Sequence, residues 1–120
     1  MKESAEEQEC YPRHVLFTSD LDRSRFFYGN ILGFRILPEL DCLKIRMSGC
    51  ELVIFPTQEE DLPSDLGAIL QLANIREMHY MLFKRRIEAV GELTPNPLGL
   101  MHFTLSDPDG NALYFVEKPN

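Results

Sequence analysis

Asp107-Pro108-Asp109-Gly110-Asn111 stands between two alternating apolar segments, Met101 to Ser106 and Ala112 to Glu117. Proline at the second turn position presets φ, aspartates accept hydrogen bonds from nearby backbone amides, and Gly110 tolerates the left-handed conformation that closes a bulged loop. The stretch reads as a β-hairpin closing the chain. A second informative stretch, His14 to Phe34, lies near the start, and the two together suggest a fold built from two copies of one unit.

The first copy opens with His14 to Ser19, rich in β-formers and ending at Asp20, a good helix N-cap. Leu21, Ser24, Phe27, Tyr28, Ile31 and Leu32 then recur at helical spacing, and Gly33 is the expected stop. Phe34 to Glu39, Cys42 to Met47 and Cys50 to Pro56 read as strands, the last two joined by a Ser48-Gly49 turn. Gln58 to Asp65 is acidic, contains Pro63 and suits an exposed linker. The order then repeats. Ala68 to Ala73 reads as a strand, Asn74 and Glu77 form a capping pair, and Ile75, Met78, Leu82 and Ala89 give one apolar helix face ending at Gly91. Thr94 to Gly99, with Pro95 and Pro97, reads as an irregular loop or a poor edge strand. The expected organisation is α+β: a frayed tail over 1–12, one unit over 13–57, a linker over 58–66 and a second unit over 67–120, sharing one core.

A chain of 120 residues with 44% hydrophobic content suits one compact domain. The segment Met1 to Glu9 is acidic and polar, unlike a signal peptide, and no apolar run approaches the roughly 20 residues that cross a bilayer. A cytoplasmic location is expected. Cys10, Cys42 and Cys50 match no zinc spacing and read as free thiols in a reducing compartment. A formal charge of −7 argues against nucleic acid and anionic membranes as partners. The basic run Lys84-Arg85-Arg86 reads as a solvated helix face.

The run from His14 through Asp20, Tyr28 and Gly33 to Phe34 resembles the first βα unit of the vicinal oxygen chelate superfamily, and Asp107 to Glu117 resembles its closing hairpin. That superfamily holds glyoxalase I, extradiol dioxygenases, and fosfomycin and bleomycin resistance proteins. The resemblance implies two βαβββ modules whose curved mixed sheet surrounds a concave pocket, with helices outside, in a homodimer. Catalytic members hold a divalent ion at four inward-facing positions, which fall here on Arg13, Val53, Gly67 and Tyr114. An arginine offers only donors, valine and glycine have no side-chain lone pair, and neutral tyrosine is a rare ligand. The expectation is therefore no metal and no cofactor. A one-residue slip would exchange Arg13 for His14 on the pocket face; His79 reads as a surface residue.

Strand alternation places Leu43, Ile45, Met47, Leu52 and Ile54 under the helix and their neighbours toward the cavity. With the Ser48-Gly49 turn, Arg46 pairs with Glu51 and Lys44 with Val53. Arg13, Lys44, Arg46 and Glu51 would then converge with an apolar wall of Phe17 and Phe55, or Arg46 and Glu51 would merely solvate the sheet. In the second unit His102, Thr104 and Ser106 face the cavity, with Tyr114 as a stacking face, or form a solvated edge. Two function classes follow. One is a metal-free protein of the bleomycin resistance type, binding or sequestering a small molecule. The other is an enzyme of the same superfamily: a metal-dependent lyase, isomerase or dioxygenase with shifted ligands, or a metal-free isomerase with His102 as base. Net charge favours a cationic ligand and the pocket cations an anionic one.

Overall fold

Two four-stranded sheets, each ordered first-fourth-third-second, carry the chain. The computed structural model describes residues 13–47, 50–88 and 90–119, so the tail to residue 12, the Ser48-Gly49 turn and Ala89 lie outside the described residues. In the first sheet β1 (Arg13–Thr18) runs parallel to β4 (Cys50–Pro56), with β3 (Leu43–Met47) antiparallel to β4 and β2 (Ile36–Leu37) on the edge. In the second, β5 (Gly67–Leu72) runs parallel to β8 (Ala112–Glu117), followed by β7 (Met101–Ser106) and β6 (Thr94–Pro95). The expected α+β repeat of βαβββ units is the observed one.

Alternation decides which face is buried. Leu16, Leu43, Ile45, Leu52 and Ile54 from the first sheet, and Leu70, Phe103, Leu105, Leu113 and Phe115 from the second, join one buried cluster under the helices. Asp20 caps α1 (Leu21–Arg25) by accepting from the Arg23 amide at 3.1 Å. The helix then widens into a π turn over Phe26–Ile31, in which the Leu32 amide donates to the Phe27 carbonyl at 2.9 Å. Gly33 and Gly110 take positive φ, 78° and 87°, as the sequence requires.

Three local expectations are corrected. Asn74 makes no side-chain cap to α2 (Ile75–Lys84); its backbone, at φ −118° and ψ 50°, is outside the extended region that aims a capping side chain at the next amides. The helix stops at Lys84, well before Gly91, because Arg86 turns left-handed at φ 58° and brings Ile87 against the core. The strand over Phe34 to Glu39 shrinks to two paired residues: Phe34 turns inward, its ring 6.2 Å from that of Phe115, and Pro38 has no amide to donate. Thr94–Pro95 takes the edge-strand alternative.

The hairpin loop joins the units. Asp107 Oδ1 accepts from the amides of Asp109 (3.0 Å) and Asn111 (2.8 Å), shaping the turn, while Oδ2 accepts from Asn111 Nδ2 (2.8 Å) and from the Tyr28 hydroxyl of the first helix at 2.6 Å. Asp109 Oδ1 accepts from the Ser19 amide (3.1 Å) and Arg23 (2.6 Å), and Asn111 Nδ2 donates to the Phe17 carbonyl at 3.1 Å. Tyr28 and Asp107 are both buried. Burial, then the charge of Asp107 and the hydrogen bond to it, push the Tyr28 pKa well above the ordinary phenol value.

Tyr28→Phe should cost about 1–3 kcal/mol in urea unfolding, since it strips a charged buried acceptor of one partner. The same variant should flatten the alkaline limb of the stability curve. The folded chain keeps the Tyr28 proton while the unfolded chain releases it above about pH 10, so native stability falls as pH rises beyond that point and the Phe variant lacks this one-proton slope.

Candidate functional site

On the face of the first sheet away from the core, β1, β3 and β4 present Arg13, Val15, Lys44, Val53 and Phe55, with Cys42 just before β3, around a cleft of about 410 Å³. Parity puts them there. Arg13, Val15 and Phe17 alternate with the core-facing Leu16 and Thr18, and parallel pairing sets Arg13 beside Glu51, Val15 beside Val53 and Phe17 beside Phe55. Antiparallel pairing sets Lys44 beside Val53 and Arg46 beside Glu51, as the assumed turn requires. Arg13, and not His14, therefore takes the cleft side. A wider depression of about 520 Å³ over Pro38, Glu39, Leu40 and Asp41 is walled by one loop segment and gathers no side chains from the sheet.

The charged centre of this face is Glu51, only 3% exposed. Its Oε1 accepts from Arg13 Nε at 2.8 Å and its Oε2 from Arg46 at 3.0 Å. Burial alone would raise the Glu51 pKa, but the hydrogen bonds from Arg46 and Arg13 and the charges of Arg13 and Lys44 outweigh it and hold the carboxyl below its ordinary range. Lys44 Nζ lies 3.8 Å from Glu39. The apolar wall is real but open: Val15 is 44% and Phe55 40% exposed, and the Phe17 and Phe55 rings lie 6.2 Å apart.

The remaining candidates are elsewhere. His102, Thr104 and Tyr114 stand on the corresponding face of the second sheet, where the His102 and Tyr114 rings stack at 4.9 Å with 18° between planes, and none of the three lines the first-sheet cleft. The His102 Nδ1 is buried and makes no hydrogen bond among the described residues. His79 is structural: its Nε2 donates to the Gly91 carbonyl at 2.9 Å and its ring packs edge-on against Phe103. Val15 and Cys42 were missing from the sequence candidates, although Val15 sits two residues from Arg13 on the same strand face and Cys42 two residues before Lys44.

The four positions that the resemblance assigns to a metal do not suit one. Arg13 is engaged by Glu51, and Val53 lies buried against the cleft without a donor atom. Position 67 is closed to a side chain altogether. A Cβ on Gly67 would meet the Ala112 carbonyl oxygen at 2.6 Å, so a histidine, glutamate or glutamine there would have to displace strand β8. No group of three or more His, Cys, Asp or Glu suited to a metal occurs among the described residues.

Glu51→Gln should shift the acid unfolding limb. A depressed carboxyl contributes stability that is present above the ordinary carboxylate range and lost as pH falls through the lowered pKa. Wild type should therefore lose stability below about pH 4 more steeply than the Gln variant, followed by circular dichroism against pH.

The same frame recurs in known proteins. Lactoylglutathione lyase from Agrobacterium tumefaciens superposes with a TM-score of 0.71 at 15% identity, over 90% of this chain and 92% of that one. The bleomycin resistance determinant encoded on transposon Tn5 gives 0.71 at 18% identity, over 90% and 97%. TnmS3, an antibiotic binding protein from a Streptomyces species, gives 0.73 at 20%, over 91% and 95%. These likenesses establish the fold alone. None of the curated proteins matches the chain. A family model does, over residues 12–115, which takes in both units and the joining hairpin. The chain belongs to the Glyoxalase/Bleomycin resistance protein/Dioxygenase superfamily.

Proposed function

We propose that this member is a metal-free small-molecule-binding protein, holding its ligand on the concave face and acting by sequestration. The observation that carries the reading is the chemistry at the four metal positions: an arginine tied to a carboxylate, a valine, a glycine with no room for a Cβ and a tyrosine. Without an ion the fold lacks its Lewis acid, so what remains is recognition by a cleft. That cleft has the features of a ligand site: a volume of about 410 Å³, an apolar wall and a few polar groups fixed by their own partners. Among proteins of this fold are a bleomycin resistance determinant and an antibiotic binding protein, which makes an antibiotic or other toxic small molecule a reasonable cargo.

Arg13, Val53 and Phe55 line the site directly, with Lys44. Arg46, Glu51 and Phe17 support that lining from the same face. His102, Thr104 and Tyr114 form a second patch. We assign a homodimer as the working state, because Ile69 (61% exposed) leaves an apolar side chain uncovered on the second sheet, outside the cleft. The charge of −7 leaves nucleic acid and anionic membrane out of the reading, and no helix among the described residues is long and apolar enough to cross a membrane. Free Cys42 and Cys50 suit the reducing cytoplasm.

Purified without chelator, the protein should contain no stoichiometric nickel, manganese, zinc or ferrous iron, and none of these should raise its melting temperature. A small molecule that binds should stabilise it by about 2.7 kcal/mol at 100 times its Kd, detected by thermal shift against bleomycin-type antibiotics and small organic acids. Near-stoichiometric metal with a matching stabilisation would instead favour the lyase or dioxygenase alternative. Sedimentation equilibrium should return twice the 13.9 kDa chain mass, and Ile69→Glu should shift the population toward the monomer.

A further inference from the structure

The outward stripe of α2 sets two aromatic rings between two cations, and we infer that it docks an acidic segment of another protein, in which two carboxylates bracket an apolar side chain. At about 3.6 residues per turn Arg76, Tyr80, Phe83 and Lys84 fall within an arc of about 100°, opposite the buried Ile75, Met78 and Leu82. A surface helix ordinarily fills that stripe with polar groups. Here Tyr80 is 62% and Phe83 69% exposed. The basic run over 84–86 divides: Arg85 turns back to donate to the Ile31 carbonyl at 3.1 Å, which leaves Lys84 on the stripe.

Both rings are held in place before any partner arrives. Lys84 Nζ lies 5.5 Å from the centre of the Tyr80 ring, and the His79 ring stacks on Phe83 at 6.4 Å with 14° between planes, while His79 is tied to the Gly91 carbonyl at 2.9 Å. Fixed rings give contact area at little entropic cost on binding. The charges are open as well. The ion pairs of the described residues engage Arg13, Arg23, Arg25, Lys44 and Arg46, and neither Arg76 nor Lys84 meets a carboxylate among the described residues. Glu77 flanks the stripe and pairs with neither.

Charge and spacing select the partner. Eight residues at about 1.5 Å each put Arg76 and Lys84 about 12 Å apart along the axis, which an extended chain covers in about four residues with its alternate side chains on one side. A Glu-x-Leu-x-Glu segment therefore sets a carboxylate on each cation and the leucine between the rings. A second copy laid stripe to stripe and antiparallel would bring Arg76 against Lys84, like charge on like. A membrane or a nucleic acid is an extended polyanion that meets the whole formal charge of −7, whereas a short segment feels the stripe alone, since exposed charges beyond about 8 Å are screened at physiological ionic strength.

The test titrates the full chain with the peptide acetyl-Ser-Glu-Ser-Leu-Ser-Glu-Ser-amide and with its analogue carrying Gln for both Glu, to millimolar concentration, by ¹H–¹⁵N and aromatic ¹H–¹³C correlation spectra. The Glu peptide should shift Arg76, Tyr80, Phe83 and Lys84 and bind about fivefold or more tightly than the Gln analogue, an advantage that high salt removes. Arg76→Gln and Lys84→Gln should each narrow that ratio, and Phe83→Gln should weaken both peptides alike. Dispersed spectra check that each variant folds, and the two peptides on wild type carry the test by themselves if a variant does not.

Equal binding of the two peptides, no shift at the stripe, or shifts confined to the first-sheet cleft would overturn the inference. Any other occupant would overturn it too. Stripe signals that move with protein concentration alone mark a second copy, and signals that move when Glu3→Gln, Glu6→Gln, Glu7→Gln and Glu9→Gln are made together mark the chain's own N-terminal segment. Larger shifts with phosphatidylserine vesicles than with the Glu peptide mark a membrane.

Discussion

The hydrogen bond from Tyr28 to Asp107 is the point on which the architecture depends. Each βαβββ unit has an apolar face that a single helix cannot cover, so the two must share a core, and something must set their mutual orientation. The hairpin loop supplies it. One carboxylate shapes its own turn through two backbone amides and reaches a buried tyrosine on the first helix; a second, two residues on, takes an amide and a guanidinium at that helix's start. Such a network is costly to leave half satisfied, which makes the joint specific as well as stable.

Fixing the joint on the core side leaves the opposite faces of the strands open. There a second constraint operates, the exact two-residue period of strand side chains. Because Leu16, Leu52 and Ile54 are committed to the core, Arg13, Val15, Glu51 and Val53 have nowhere to point except the cleft. A buried carboxylate in that position must be paired, and here two arginines pair it. Those guanidinium groups donate hydrogen bonds and cannot accept an electron pair.

Gly67 is fixed as glycine by its strand pairing. With the Ala112 carbonyl 2.6 Å from where a Cβ would lie, the strand pairing itself, and not only the residue choice, excludes a ligand there.

Much of this was written in the sequence. The turn residues Asp107 to Asn111, the capping Asp20, Gly33 and the alternating strands determined the paired units and the pairing of Lys44 with Val53 and Arg46 with Glu51, whereas the place of Arg13 beside Glu51 waited on the strand register, because only the former follow from local conformational preference and a fixed period. Tertiary structure decided the rest. That Asp107 reaches Tyr28, that α2 breaks at Arg86 so Ile87 can join the core, and that His102 and Tyr114 stack on a different sheet from the cationic cleft all depend on residues far apart in the chain. Local preference carries no information about such distances; the packing of one shared core does.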